Sequence, residues 1–123
     1  MYTLGMASFG KNMKIHVAAS RRDEVRAFYV DVLSCAIQSP MDTLDLLQFE
    51  DGFNLAVDYV DETSALTSDV WKRAPWIEIL VADLDRVKSA LAENDFTPFE
   101  FSGTEHDYFE GPGGLVFRLA QLE

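Results

Sequence analysis

The chain has 123 residues, enough for one compact domain that buries roughly two-thirds of the surface its unfolded form would expose. A content of 48% hydrophobic and 25% charged residues is that of a folded globular protein and argues against disorder. With 21 acidic against 10 basic side chains the formal charge is -11, which speaks against a nucleic-acid or anionic-membrane partner, and no apolar run approaches the length of a bilayer span.

The opening MYTLGMASFGKN lacks the basic start and apolar core of a secretory signal, so residues 1–12 read as an N-terminal extension before a single domain over 13–123. Lys14 to Ala19 alternates, with Ile15, Val17 and Ala19 on one face of a half-buried strand and Lys14, His16 and Ala18 on the other. Ser20 is placed to cap a helix over about Asp23 to Leu33, where Val25, Phe28, Tyr29, Val32 and Leu33 recur at helical spacing. Cys35, the only cysteine, excludes an intrachain disulfide and suits a reducing, cytoplasmic setting as a small buried residue. Ala36 to Ser39 makes a short strand closed by Pro40, and Leu44 to Glu50 makes another. Asp51-Gly52 then turns the chain into a strand over Phe53 to Tyr59. Residues 61–75 mix acidic, Ser/Thr and Pro residues without strand periodicity and link module one, about 13–60, to module two, about 76–123. In the second module Trp76 to Val81 is a strand, and Asp83 caps a helix from about Leu84 to Asn94. Strands over Thr97 to Phe101, His106 to Glu110 and Leu115 to Gln121 follow, the last two joined by Gly111-Pro112-Gly113-Gly114.

A single offset of 62 relates the halves. It carries Ile15 to Ile77, Val17 to Ile79, Asp23 to Asp85 and Val25 to Val87, and also Phe53 to Leu115, Leu55 to Phe117 and Gly52 to Gly114. One offset serving regions about forty residues apart marks a duplicated unit, so the expected fold is α+β: two βαβββ modules in one chain, with cupped mixed sheets and helices on their outer faces.

In each module the first and last strands keep one apolar face for the helix. The other face is mixed, with Lys14 and His16, then Asn54, Ala56 and Asp58, then Trp76, Glu78 and Leu80, then Val116, Arg118 and Ala120. Helices on one side leave that face to water, a partner chain or a ligand cavity.

The doubled βαβββ pattern, the RAFYVDVL helix and the closing YFEGPGGLVFRL resemble the vicinal oxygen chelate superfamily, which includes glyoxalase I, bleomycin- and fosfomycin-resistance proteins and extradiol dioxygenases. The resemblance covers about Met13 to Leu122 and implies a homodimer in which a module of one chain completes the cup of the other. In metal-dependent members the first and last strands present His, Gln or Glu ligands to a shared octahedral site. Carried onto this chain those positions fall on Lys14, Ala56, Trp76 and Arg118, none of which is a metal ligand at neutral pH. What the resemblance then implies is non-metal binding of a small organic ligand, with the drug-sequestering, antibiotic-resistance members as the pattern. The acidic surface favours a cationic or aromatic compound. Lys14, His16, Asn54, Asp58, Trp76, Glu78 and Arg118 are the candidate ligand-binding residues.

The alternative is a metal-dependent lyase, isomerase or dioxygenase holding a divalent metal with His16, Asp58 and Glu78. Each candidate also has a structural explanation. His16 can pair with a carboxylate, Trp76 can fill space between the modules, and Arg118 can neutralise Glu78. A third outcome is a cup closed by its own side chains. His106 reads as a surface residue beside a loop. The two histidines lack a surrounding nucleophile motif, and the Gly-rich turn joins two strands, where no helix N-terminus is available to cradle a phosphate.

Overall fold

The computed structural model describes residues 9–71, 75–98 and 107–123. β1 (Asn12–Ala18) leads through a 3₁₀ turn into α1 (Arg22–Arg26), which widens into a π-helical stretch, Ala27–Val32. β2 (Ala36–Met41), β3 (Leu44–Gln48) and β4 (Asn54–Val60) complete the first module. After α2 (Ser68–Trp71) come β5 (Trp76–Val81), α3 (Leu84–Glu93), β6 (Asp107–Gly111) and β7 (Leu115–Gln121). Sheet A has the order β1-β4-β3-β2, and sheet B has β5-β7-β6 among the described residues. In both sheets the module's first strand runs parallel to its last, and the last pairs antiparallel to the strand before it.

The first module is therefore βαβββ as expected. In the second, Thr97 and Pro98 are not in a strand, and the remainder of the strand expected over Thr97 to Phe101 lies outside the described residues, as does His106. Three local expectations need correction. β1 starts at Asn12 and ends at Ala18, so Ala18 is buried, whereas Ala19 enters the 3₁₀ turn and is exposed. Ser20 does not cap α1; its hydroxyl donates to Glu62 across the linker. Pro40 does not close β2 but lies within it, beside a register shift between Gln38 and Met41. β2 is an edge strand, where a missing N–H removes no ladder bond. The Asp83 cap is as expected, its carboxylate accepting from the Arg86 N–H at 3.1 Å.

The apolar faces of both sheets and the π-helical stretch close on one core. Ile15, Val17, Leu55 and Val57 of sheet A, Phe28 and Tyr29, Leu91, and Phe109, Phe117 and Leu119 of sheet B form a single cluster. Phe28 meets Phe96 edge-on at 5.2 Å and stacks on Phe117 at 5.8 Å between ring centroids. The Gly-rich turn of the second module docks on β1 of the first. A Cβ on Gly113, whose φ is +77°, would lie 2.5 Å from Val17 Cγ1, and one on Gly114 would lie 2.8 Å from Ile15 Cδ1. Those glycines serve a close backbone approach as well as a turn.

The 62-residue repeat is not kept through the strand register. Lys14 faces Ala56 across β1 and β4, but Trp76 faces Val116 and Glu78 faces Arg118 across β5 and β7. The hairpins do keep it, since Gln48 faces Asn54 and Glu110 faces Val116. β5 thus sits two residues along from the place the repeat predicts. A two-residue slip preserves side-chain parity, so Ile77 and Ile79 still pack on the core and no burial opposes it.

Candidate functional site

The mixed face of sheet A is organised in rows that cross its strands. Asn12, Asn54, Gln48 and Ala36 form one row, and Lys14, Ala56, Leu46 and Gln38 form the next. A third row opens with His16 and Asp58. The opposite parity of the same strands carries Ile15, Leu55, Val57 and Leu47 into the core, so alternation alone turns these polar residues outward. The first two rows line an open groove of about 630 Å³, within the size range of small-molecule sites.

Three amides of the first row are linked. Gln48 Nε2 donates to Asn54 Oδ1 at 3.2 Å, and Asn54 Nδ2 donates to Asn12 Oδ1 at 3.2 Å. The ladder holds the side chains upright at one end of the groove, leaving N–H and carbonyl valences for a ligand. Ala56 and Leu46 form an apolar floor, with Lys14 at the β1 end and Gln38 at the β2 end. His16 lies beyond the groove and is already engaged, its Nδ1 3.1 Å from Asp58 Oδ2.

On sheet B the polar residues are committed to one another. Arg118 donates to Glu78 Oε2 from Nη2 at 2.6 Å and from Nε at 3.2 Å, and its guanidinium lies 4.4 Å from the Trp76 ring centroid. The hydrogen bond to Glu78 holds the Arg118 pKa above its ordinary value. Next to this cluster, α2 lays Trp71 over the mixed face, where it packs with Tyr108 and Val116 and is 3% exposed. Glu110 fastens it, accepting from Trp71 Nε1 at 3.0 Å and from Ser68 Oγ at 2.9 Å. Part of the second half-cup is thus filled from within, while Trp76 and Leu80 on its β5 side remain 42% and 52% exposed.

Of the candidate residues, Lys14 and Asn54 line the groove and His16 and Asp58 form a pair beside it. Trp76, Glu78 and Arg118 stand on the other sheet. The four positions assigned by resemblance are not two equivalent strand pairs, because β5 is displaced by two residues. The in-register counterpart of Lys14 and Ala56 is Glu78 and Arg118. Among the described residues, no three His, Cys, Asp or Glu side chains converge where they could hold a metal. The donor set His16, Asp58 and Glu78 does not fit one within a chain, since Glu78 is on sheet B and bound to Arg118.

Several side chains that line or support the groove were not singled out from the sequence. Asn12 falls within the expected extension, and Leu46 and Gln48 carry no motif, although the alternation of Leu44 to Glu50 is enough to put them on one face. Behind the groove, Asp45 is 1% exposed on the core side of β3. It accepts from Arg26 at 3.0 and 3.1 Å, from Ser39 Oγ at 2.7 Å and from Tyr59 OH at 2.7 Å. Burial alone would raise its pKa, but these donors and the guanidinium charge hold it down at about 2. A carboxylate at a core-facing strand position was the available signal.

No family model matches the chain, and no curated protein matches it either. Solved structures do. A glyoxalase/dioxygenase from Nostoc punctiforme aligns with a TM-score of 0.72 at 15% identity, over 100% of this chain and 97% of the other. A possible glyoxalase from Bacillus cereus gives 0.65 at 17% identity, over 92% and 98% respectively. TnmS3, an antibiotic binding protein from a Streptomyces species, gives 0.58 at 16%, over 95% and 98%. The fold is that of glyoxalase, bleomycin-resistance and dioxygenase structures, in keeping with the resemblance to the vicinal oxygen chelate superfamily. At these identities the likeness establishes fold, and activity has to be argued from the side chains.

Proposed function

We propose that this chain, built on the glyoxalase/bleomycin-resistance fold, binds a small organic molecule on the mixed face of sheet A and does so without a metal. The observation that carries it is the groove of about 630 Å³, whose second row holds Lys14 and Ala56 where the resemblance would place metal ligands. A lysine repels a divalent cation and an alanine has no donor, whereas a lysine beside an apolar floor and linked amides suits an organic ligand. An antibiotic binding protein among the structures of the same fold supports ligand capture as one use of it.

In this proposal the working unit is a homodimer. The exposed Trp76 and Leu80 offer apolar surface for a second copy to cover, and the Trp76, Glu78 and Arg118 cluster of that copy becomes a wall of the groove. Sedimentation at micromolar concentration should return twice the chain mass.

The direct test is thermal unfolding of chelator-treated protein against a panel of small metabolites and antibiotics. A ligand that prefers the native state raises Tm by mass action. Such a rise, insensitive to added metal, is the expected result. Stoichiometric Ni, Zn, Mn or Fe in protein purified without chelator, lost in His16→Ala, would overturn it and favour a metal-dependent lyase, isomerase or dioxygenase.

A further inference from the structure

Ten residues line the groove of sheet A, and one of them bears a formal charge, the cation Lys14. The chain as a whole has 21 acidic and 10 basic side chains, so a groove to which this chain contributes no carboxylate runs against the composition, and the one carboxylate that a second copy would bring, Glu78, is already bound to Arg118. On this face of sheet A the closest carboxylate in the strand register, Asp58, lies one row beyond Ala56 and is paired to His16, while Asp45 points into the core. Lys14 itself makes no ion pair among the described residues, whereas Arg118 of sheet B is bound to Glu78 and Lys11, just before β1, donates to the Asp51 carbonyl at 2.6 Å. From this placement we infer that the ligand is a small planar carboxylate, with its acid group on Lys14, its flat body on Ala56 and Leu46, and one edge along the amide ladder of Asn12, Asn54 and Gln48. This rests on the proposal that the groove is the binding site, and it reverses the cationic preference suggested by net charge.

The geometry also bounds the size of the ligand. Lys14 on β1 and Gln38 on β2 are separated by three interstrand spacings, about 14 Å of backbone. Both side chains line the groove and take up part of that span, so the space between them suits a body about two fused rings long. Gln38 is placed at the far end to hydrogen-bond a polar substituent. Charge selection comes from a local contact, because side chains more than a Debye length away are screened, to about 8 Å at physiological salt. The overall acidity therefore weakens attraction of an anion at a distance without removing the preference at contact.

An isosteric series tests the inference: 2-naphthoate, 2-naphthamide and 2-naphthylmethylammonium, each titrated into isotopically labelled full chain and followed through the backbone amide resonances of β1 and β4. The carboxylate is expected to bind about fivefold more tightly than the neutral amide, the scale of a part-exposed ion pair, and the ammonium more weakly than either. Lys14→Gln should abolish the carboxylate's advantage over naphthamide within the same variant. Gln48→Glu, at another exposed strand position, should turn the preference toward the ammonium. If all three bind with the ammonium equal or best, the anionic class is wrong and the groove survives as a binding site. If none perturbs β1 or β4, the groove proposal fails together with this one.

Discussion

Asp45→Asn is the substitution from which the most can be learned about how the groove is held. Asp45 sits on β3 one residue before Leu46 of the groove floor and points the opposite way, where Arg26 of α1, Ser39 of β2 and Tyr59 of β4 all bind it. One carboxylate thus fastens the helix and two neighbouring strands to the strand that supplies the floor. Its pKa falls from an ordinary 3.8 to about 2 against the opposing effect of burial, equivalent to about 2 kcal/mol of folding stability at pH 7. The sign follows from a depressed carboxyl. The contribution is complete above about pH 4 and disappears as pH falls toward about 2, where the folded form also takes up the proton. Asp45→Asn should therefore lower stability by about 2 kcal/mol at pH 7, a Tm loss of roughly 8 °C for a domain of this size. The gap between wild type and variant should narrow across that pH window. Urea unfolding followed by tryptophan fluorescence at pH 7, 4 and 2.5 measures it, with unchanged m values showing that only stability has moved. A gap of the same size at every pH, or one under about 0.5 kcal/mol at pH 7, would refute the charge-pinning argument.

Gly113→Ala should destabilise by about 2–4 kcal/mol, since it combines a side chain at φ +77° with a Cβ placed 2.5 Å from Val17. A double-mutant cycle with Val17→Ala, read by urea midpoints, should recover part of the loss, and strict additivity would deny that the turn docks there. Tyr29→Phe should leave the fold intact and stabilise it by about 1 kcal/mol, because the Tyr29 hydroxyl is fully buried and meets no hydrogen-bond partner among the described residues. A loss of stability on thermal melting would mean that the hydroxyl is satisfied in solution.

Much of the fold was legible because the signals are local. The alternation of Ile15 and Val17 against Lys14 and His16, the Asp83 cap and the positive-φ Gly52 each follow from steric or hydrogen-bonding preferences of a few neighbouring residues. The candidate site was legible in part for the same reason: parity put Lys14 and Asn54 on an outward face. Its grouping was not. The set of seven candidates divides between two sheets, and the groove owes as much to Asn12, Gln48, Leu46 and Gln38, which become neighbours only through pairing.

What the sequence alone determined is the doubled architecture and the side of each strand that faces the core, because burial of alternate apolar residues is specified by the residues themselves. What tertiary structure decided is register and partnership. A parallel strand pair separated by some forty residues can slide by two without changing which side chains are buried, so the repeat could not reveal that Glu78, in place of Trp76, stands opposite Arg118. Nor could it show that Trp71 from the linker fills part of one half-cup while the other stays open, since both outcomes depend on long-range packing that brings α2 and β2 onto their sheets.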